Sequence, residues 1–205
     1  MSRFRIGMLI SGSGTNLQSI IDHLHNGPQG IEVAAVISDK AGAYGLKRAE
    51  KAGIPTVVLR PRDYAERVEH DWAVADALEH YGVDLVVLAG YMRVVTPAFL
   101  DRFPYKVVNL HPSLLPAFPG DSAIADALAY GARVTGVTVH FVDEGVDTGP
   151  VILQEALDIE YNDTVESLAA RVHEVEHRLL PRAIELIAAG RVRFDRGNPR
   201  KVKIE

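Results

Sequence analysis

Five strand-like runs, at residues 5–10, 32–37, 56–59, 85–89 and 106–110, alternate with helix-like stretches after each of the first four. That rhythm dictates a parallel sheet, because parallel neighbours need a crossover and the crossover is normally a helix. The helix-like stretches lie at about 16–25, 44–52, 63–81 and, shorter, 97–101, each with apolar residues at helical spacing. Both faces of the sheet are then covered. After Gly120 the pattern changes to a helix at about 123–129 and strands at 137–142 and 151–157, which are expected to pair as an antiparallel extension. A long helix is expected over 164–189, opened by Thr164-Val-Glu-Ser and closed by Gly190. Residues 192–205 read as a weak basic hairpin.

Composition sets the bounds. With 47% hydrophobic and 24% charged residues over 205 positions, the chain can bury a sizeable core. No apolar run reaches the length of a membrane span, and the N-terminal Met1-Ser-Arg-Phe-Arg does not read as a secretion signal. A cytoplasmic protein is expected. Without cysteine there is no disulfide or thiolate chemistry, and a net charge of −5 argues against a broad nucleic-acid surface.

Two places carry polar chemistry. The first is Ile10-Ser11-Gly12-Ser13-Gly14-Thr15-Asn16-Leu17, a glycine-rich turn between the first strand and first helix, where backbone N–H groups converge on an anion. It resembles the start of a dinucleotide fingerprint, with Asp39 as the ribose acid, but Leu17 stands in the third glycine's place. No Gly-Lys-Ser/Thr follows either, so one phosphate monoester suits the turn better. The second place is Asn109-Leu-His111-Pro-Ser113-Leu-Leu-Pro116, with Asp147 in the later loop 143–150. Asn109 and His111 are two apart on a strand, hence on one face at its C-terminal end, where open α/β sheets bind ligands. An amide, an imidazole and a carboxylate together can bind a developing oxyanion and move a proton, which is the equipment of acyl transfer. Ser113 lacks a Gly-x-Ser-x-Gly surround and is expected to cap the loop. His111 and His140 lack a partner at metal-ligand spacing, so no metal is expected.

These residues resemble the phosphoribosylglycinamide formyltransferase family across about residues 4–190. Three blocks carry the resemblance: Ile10 to Gln18, Leu88-Ala-Gly-Tyr-Met-Arg-Val-Val95, and the Asn109 block with Thr138-Val-His-Phe-Val142 and the Asp147 loop. The last block is shared with methionyl-tRNA and sugar-nucleotide formyltransferases and specifies the formyl transfer; the first specifies the acceptor. The resemblance implies an α/β, Rossmann-like open and mostly parallel sheet with an antiparallel C-terminal extension. It implies one formyltransferase domain over 1–205, phosphate-binding over about 1–105 and catalytic and folate-binding over about 106–190, with a basic tail at 191–205. Gly14, Thr15 and Asn16 would hold the ribonucleotide phosphate, and Glu176 would touch the ribonucleotide. Arg67, Met92, Arg93, Val94, Val95 and Asn109 would bind the co-substrate 10-formyltetrahydrofolate, with Arg67 on its acidic tail. Asn109, His111 and Asp147 would catalyse direct attack of the glycinamide amine on the formyl carbon. The implied partners are small molecules, with no nucleic acid or membrane and with homodimerisation plausible.

The family commonly has histidine where this chain has Ser122, and Asp121 precedes it. A carboxylate there repels a substrate anion by about 1 kcal/mol if poorly screened. The alternatives are a sugar-nucleotide acceptor, whose enzymes usually append a further C-terminal domain, and a noncatalytic nucleotide- or folate-binding sensor. A sensor has no need of Asn109, His111 and Asp147 together.

Overall fold

The computed structural model describes residues 3–205; Met1 and Ser2, the start of the N-terminal stretch read above, lie outside the described residues. The strands are β1 (Phe4–Ile10), β2 (Ile31–Ser38), β3 (Thr56–Val58), β4 (Leu85–Leu88), β5 (Val107–His111), β6 (Val134–Phe141), β7 (Val151–Asp158), β8 (Val192–Phe194) and β9 (Val202–Ile204). The helices are α1 (Thr15–His23), α2 (Tyr44–Lys51), α3 (Arg67–His80), α4 (Pro97–Leu100), α5 (Ala123–Tyr130) and α6 (Val165–Ala188). The seven-stranded sheet runs in the order β3-β2-β1-β4-β5-β6-β7, and β8 pairs with β9 separately. The chain divides into two compact units, Met1–Asn109 and Leu110–Glu205.

In the first unit the pairs β1–β2, β1–β4, β2–β3 and β4–β5 are all parallel. Their sequences explain why: β4 is Leu-Val-Val-Leu, buried throughout, and seven of the eight residues of β2 are buried. Near-continuous apolar strands of this kind are stable only with both faces covered. One helix boundary differs from the sequence expectation. A 3₁₀ turn occupies Pro61–Asp63 and α3 begins only at Arg67, because Glu66 and Glu69 form a reciprocal capping box that stops the helix from extending backwards.

The second unit holds the antiparallel pair β6–β7, with α6 packed on both strands and on α5. β6 starts at Val134, three residues before the expected strand, and runs through Gly136. Gly136 reads as a breaker but is required by close approach: a Cβ there would lie 2.2 Å from the Glu155 carbonyl oxygen. α6 is capped by Thr164, whose side chain accepts from the Ser167 N–H while Ser167 answers to the Thr164 N–H. It continues through the buried Pro181 and ends where Gly190, at φ 67, turns its N–H back to Ile187. Among the described residues no helix is long and apolar enough to cross a membrane.

Candidate active site

The glycine-rich turn of the first unit is shaped by two glycine backbones in contact. Gly14 caps α1 in the left-handed region at φ 70, with no side-chain cap. A Cβ on it would lie 2.6 Å from the Gly45 Cα, and a Cβ on Gly45 would lie 2.4 Å from the Ile10 Cδ1. The Gly45 N–H donates to the Gly12 carbonyl at 3.1 Å. Arg48 braces the turn from α2, donating to the Ser13 carbonyl at 2.9 Å and to the Gln18 amide oxygen at 3.1 Å. This tight packing leaves the first turn of α1, Thr15 and Asn16 included, as a helix N-terminus, the kind of end that can receive an anion.

Met92–Val95 follow β4. The Met92 N–H donates to the buried Ser11 hydroxyl at 2.9 Å, which ties this segment to the end of β1. Thr96 N–H donates to Asp71 at 2.7 Å; Asp71 is buried on α3 beside His70, whose Nδ1 is 3.4 Å away. Arg67, the first residue of α3, is exposed and donates to the Val94 carbonyl. The structure therefore brings Arg67 and the 92–95 segment together. Met92 and Val94 are exposed, Val95 is buried, and the Arg93 Nε is buried without a partner among the described residues. A buried unsatisfied cationic donor beside exposed apolar side chains fits an acid-bearing, ring-containing ligand. Asn109, half-buried, lies in register with Leu88 near the end of β5.

In the second unit His111 is the last residue of β5 and is 3% exposed. Its Nδ1 is 3.3 Å from Asp147 Oδ2, and its Nε2 is 2.8 Å from the Phe118 carbonyl oxygen. Both partners are acceptors, so the ring satisfies both only when both nitrogens carry hydrogen. Asp147 sits on the loop between β6 and β7 with φ 54. It accepts the Gly120 N–H at 2.8 Å, and its Oδ1 faces His140 Nε2 at 3.6 Å, long for a hydrogen bond but close enough for a direct electrostatic contact. Burial disfavours the Asp147 anion. The His140 contact, the Gly120 N–H and the nearby His111 outweigh that, so the carboxyl is held below the usual carboxylate range.

His140 is the group that sequence reasoning passed over as anything more than a weak metal candidate. It is 2% exposed, with its Nδ1 2.9 Å from the Phe141 carbonyl oxygen. The signal was present, since Thr138 and His140 are two apart on a buried strand and face the same side. Thr138 serves the loop after β5: its hydroxyl donates to the Ser113 carbonyl at 2.7 Å and accepts the Leu115 N–H at 3.1 Å. Ser113 is fully buried and donates to the Ala117 carbonyl, so its hydroxyl belongs to the loop. Asp121 and Ser122 are both exposed, 3.4 Å apart at the start of α5, so solvent screens the extra carboxylate.

Glu176 lies on α6, 5% exposed, with its Oε2 2.8 Å from His173 Nδ1 one turn earlier. That hydrogen bond raises the His173 pKa above 6.5 against the effect of burial. The stabilisation is complete below that value and lost as pH rises through the raised one. An NMR titration should find His173 of the wild type above 6.5 and His173 of Glu176→Gln displaced downwards. Identical titrations would dissolve the pair.

A family model described as formyl transferase matches residues 4–184. A phosphoribosylglycinamide formyltransferase of Haemophilus influenzae is 45% identical over 190 residues, covering 93% of this chain and 90% of that protein. The trifunctional purine biosynthetic protein adenosine-3 of Chironomus tentans is 48% identical over 193 residues, but this chain spans only 14% of its length. The crystal structure of glycinamide ribonucleotide transformylase 1 from Symbiobacterium toebii superposes with a TM-score of 0.95 at 51% identity, covering 98% of this chain and 94% of that one. On residue pattern, fold and similarity together, the chain belongs to the formyl transferase family.

Proposed function

We propose that this protein transfers the formyl group of 10-formyltetrahydrofolate to the amine of 5′-phosphoribosylglycinamide, giving formylglycinamide ribonucleotide and tetrahydrofolate in purine biosynthesis. The observation that carries the reading is the half-buried Asp147 carboxylate, held below the usual carboxylate range beside two imidazoles and a backbone N–H. The two units are read as halves of one formyltransferase domain.

The formyl donor supplies an activated acyl carbon; the rest is work for this chain's residues. His111 carries hydrogen on Nε2, where the Phe118 carbonyl now accepts it, and redirects that donor to the oxygen that becomes negative as the amine attacks. Asn109 supplies a second donor from the same strand. Asp147 orients the His111 ring through Nδ1 and takes the proton that the attacking amine must lose, passing it towards the departing folate nitrogen. Gly14, Thr15 and Asn16 hold the phosphate, and Glu176 holds the ribonucleotide's polar body. Arg67, Met92, Arg93, Val94 and Val95 hold the folate, Arg67 and Arg93 by charge and the others by apolar contact.

The test is release of tetrahydrofolate from 10-formyltetrahydrofolate, followed by absorbance with and without the ribonucleotide, with His111→Ala alongside. Acceptor-dependent release should fall on the order of 10²- to 10³-fold in the variant, the usual cost of losing one oxyanion donor. No release from the wild type, despite thermal stabilisation by both ligands, would overturn the assignment in favour of a binding protein.

A further inference from the structure

The loop that carries Asp147 is braced by the far end of the chain. Inside the loop, Thr148 Oγ1 donates to Asp143 at 2.6 Å and the Gly145 N–H donates to the same oxygen at 3.2 Å. The next turn is wedged against β6: a Cβ on Gly149 would lie 1.8 Å from the Phe141 carbonyl oxygen. From outside, Arg200 donates through Nη2 to the Thr148 carbonyl, 52 residues away in sequence. The Phe194 ring packs on Phe141 with centroids 4.8 Å apart, and β9 lies along β7. The hairpin that presents Arg200 is well tied internally. Asp195 accepts the N–H groups of Gly197 and Asn198 and pairs with Lys203 at 3.2 Å, while Asn198 accepts the Arg200 N–H at 3.0 Å.

The placement matters because Asp147 is in the left-handed region, one residue before the anchored carbonyl. That conformation is uncommon for a residue with a side chain and relaxes unless neighbours hold it. A charge-assisted bond to the Thr148 carbonyl holds the Thr148–Gly149 peptide, the second after Asp147, and so limits how far the backbone around Asp147 can relax, while Gly120 and His111 hold the side chain. We propose that Arg200 is a positioning residue for Asp147, acting through the Thr148 carbonyl, and that the C-terminal hairpin serves the proton relay. The inference rests on reading Asp147 as that relay.

The experiment compares kcat and both KM values for the wild type, Arg200→Ala, Arg200→Lys, Arg193→Ala and Asp147→Asn, each checked for an unchanged melting temperature. Arg193 belongs to the same hairpin but makes an exposed surface pair with Glu205 at 3.0 Å, so its loss leaves both the hairpin and the loop contact in place. Arg200→Ala should lower kcat on the order of tenfold, the scale set by small misplacements of catalytic groups. The KM for the ribonucleotide should stay unchanged, Arg200→Lys should recover part of kcat, and added guanidinium ion should partly restore Arg200→Ala. Arg193→Ala should match the wild type. Full kcat in Arg200→Ala beside an inactive Asp147→Asn overturns this inference alone. An equal fall in Arg193→Ala also overturns it, by making the effect one of hairpin stability. An active Asp147→Asn instead removes the relay reading beneath it.

Discussion

Replacing Asp147 by asparagine should lower kcat by about 10³-fold or more, with the fold intact and both KM values little changed. The magnitude is that of a positioned general acid or base whose proton transfer is removed. The substitution is unusually clean at this position. Asparagine has the same size, tolerates the left-handed backbone at φ 54, and its amide oxygen can still accept the Gly120 N–H. What it cannot supply is the anion beside His111. Because the folded carboxyl is held below its ordinary range, the ionised form is present above that lowered value and is lost only as pH falls through it. The deficit of the variant should therefore be nearly constant between about pH 5 and 8, where the wild-type group is already ionised. A pH profile of kcat for both proteins decides the matter, and near-normal turnover in the variant would end the role given to Asp147.

The other large effect is expected at a residue with no side chain. Gly14→Ala should destabilise the protein by about 2–3 kcal/mol and raise the KM for the ribonucleotide at least about tenfold. Two costs combine here. A Cβ at φ 70 is strained, and at 2.6 Å from the Gly45 Cα it meets backbone, which can give way only by moving α2. Moving α2 moves Gly45 and Arg48, the two residues that hold the turn by the Gly12 and Ser13 carbonyls. Gly30→Ala is the control. Gly30 has nearly the same φ, 71, but a Cβ there would have nothing within 4 Å, so it should show the backbone cost alone and an unchanged KM. Substrate titration by calorimetry, with melting curves for both variants, separates the two effects. An unaltered KM in Gly14→Ala would remove the turn from the phosphate site.

Much of this architecture was legible because it depends on local pattern. The continuous apolar runs of β2 and β4 and the Thr164 and Gly190 boundaries of α6 are short-range signals, and they place their elements within a few residues. The misplacements share one cause, since Glu66 and Gly136 have roles decided by what lies opposite them. A capping box needs its reciprocal partner, and a strand glycine needs a carbonyl pressing on it. At the candidate site, Asn109 and His111 could be paired from their period of two, and Asp147 from its motif. The Gly120 N–H on Asp147 and the Phe118 carbonyl on His111 are backbone groups, which every residue carries and no sequence distinguishes. Arg200 was only one cation in a basic tail until the fold set it on Thr148.

The register of β6 and β7 slips between Val139 and His140. Val139 faces Leu153 while His140 faces Val151, so Ile152 is supernumerary. An extra residue reverses the side to which everything beyond it on its strand points. The hairpin therefore keeps two separate alternation schemes, one for the length that builds the sheet and one for the length that turns into the Asp147 loop. Substitutions on the structural side of Ile152 and on the reactive side of it need not agree with each other in phase. That single surplus residue decides on which side Val151, the first strand residue after the Asp147 loop, presents its side chain.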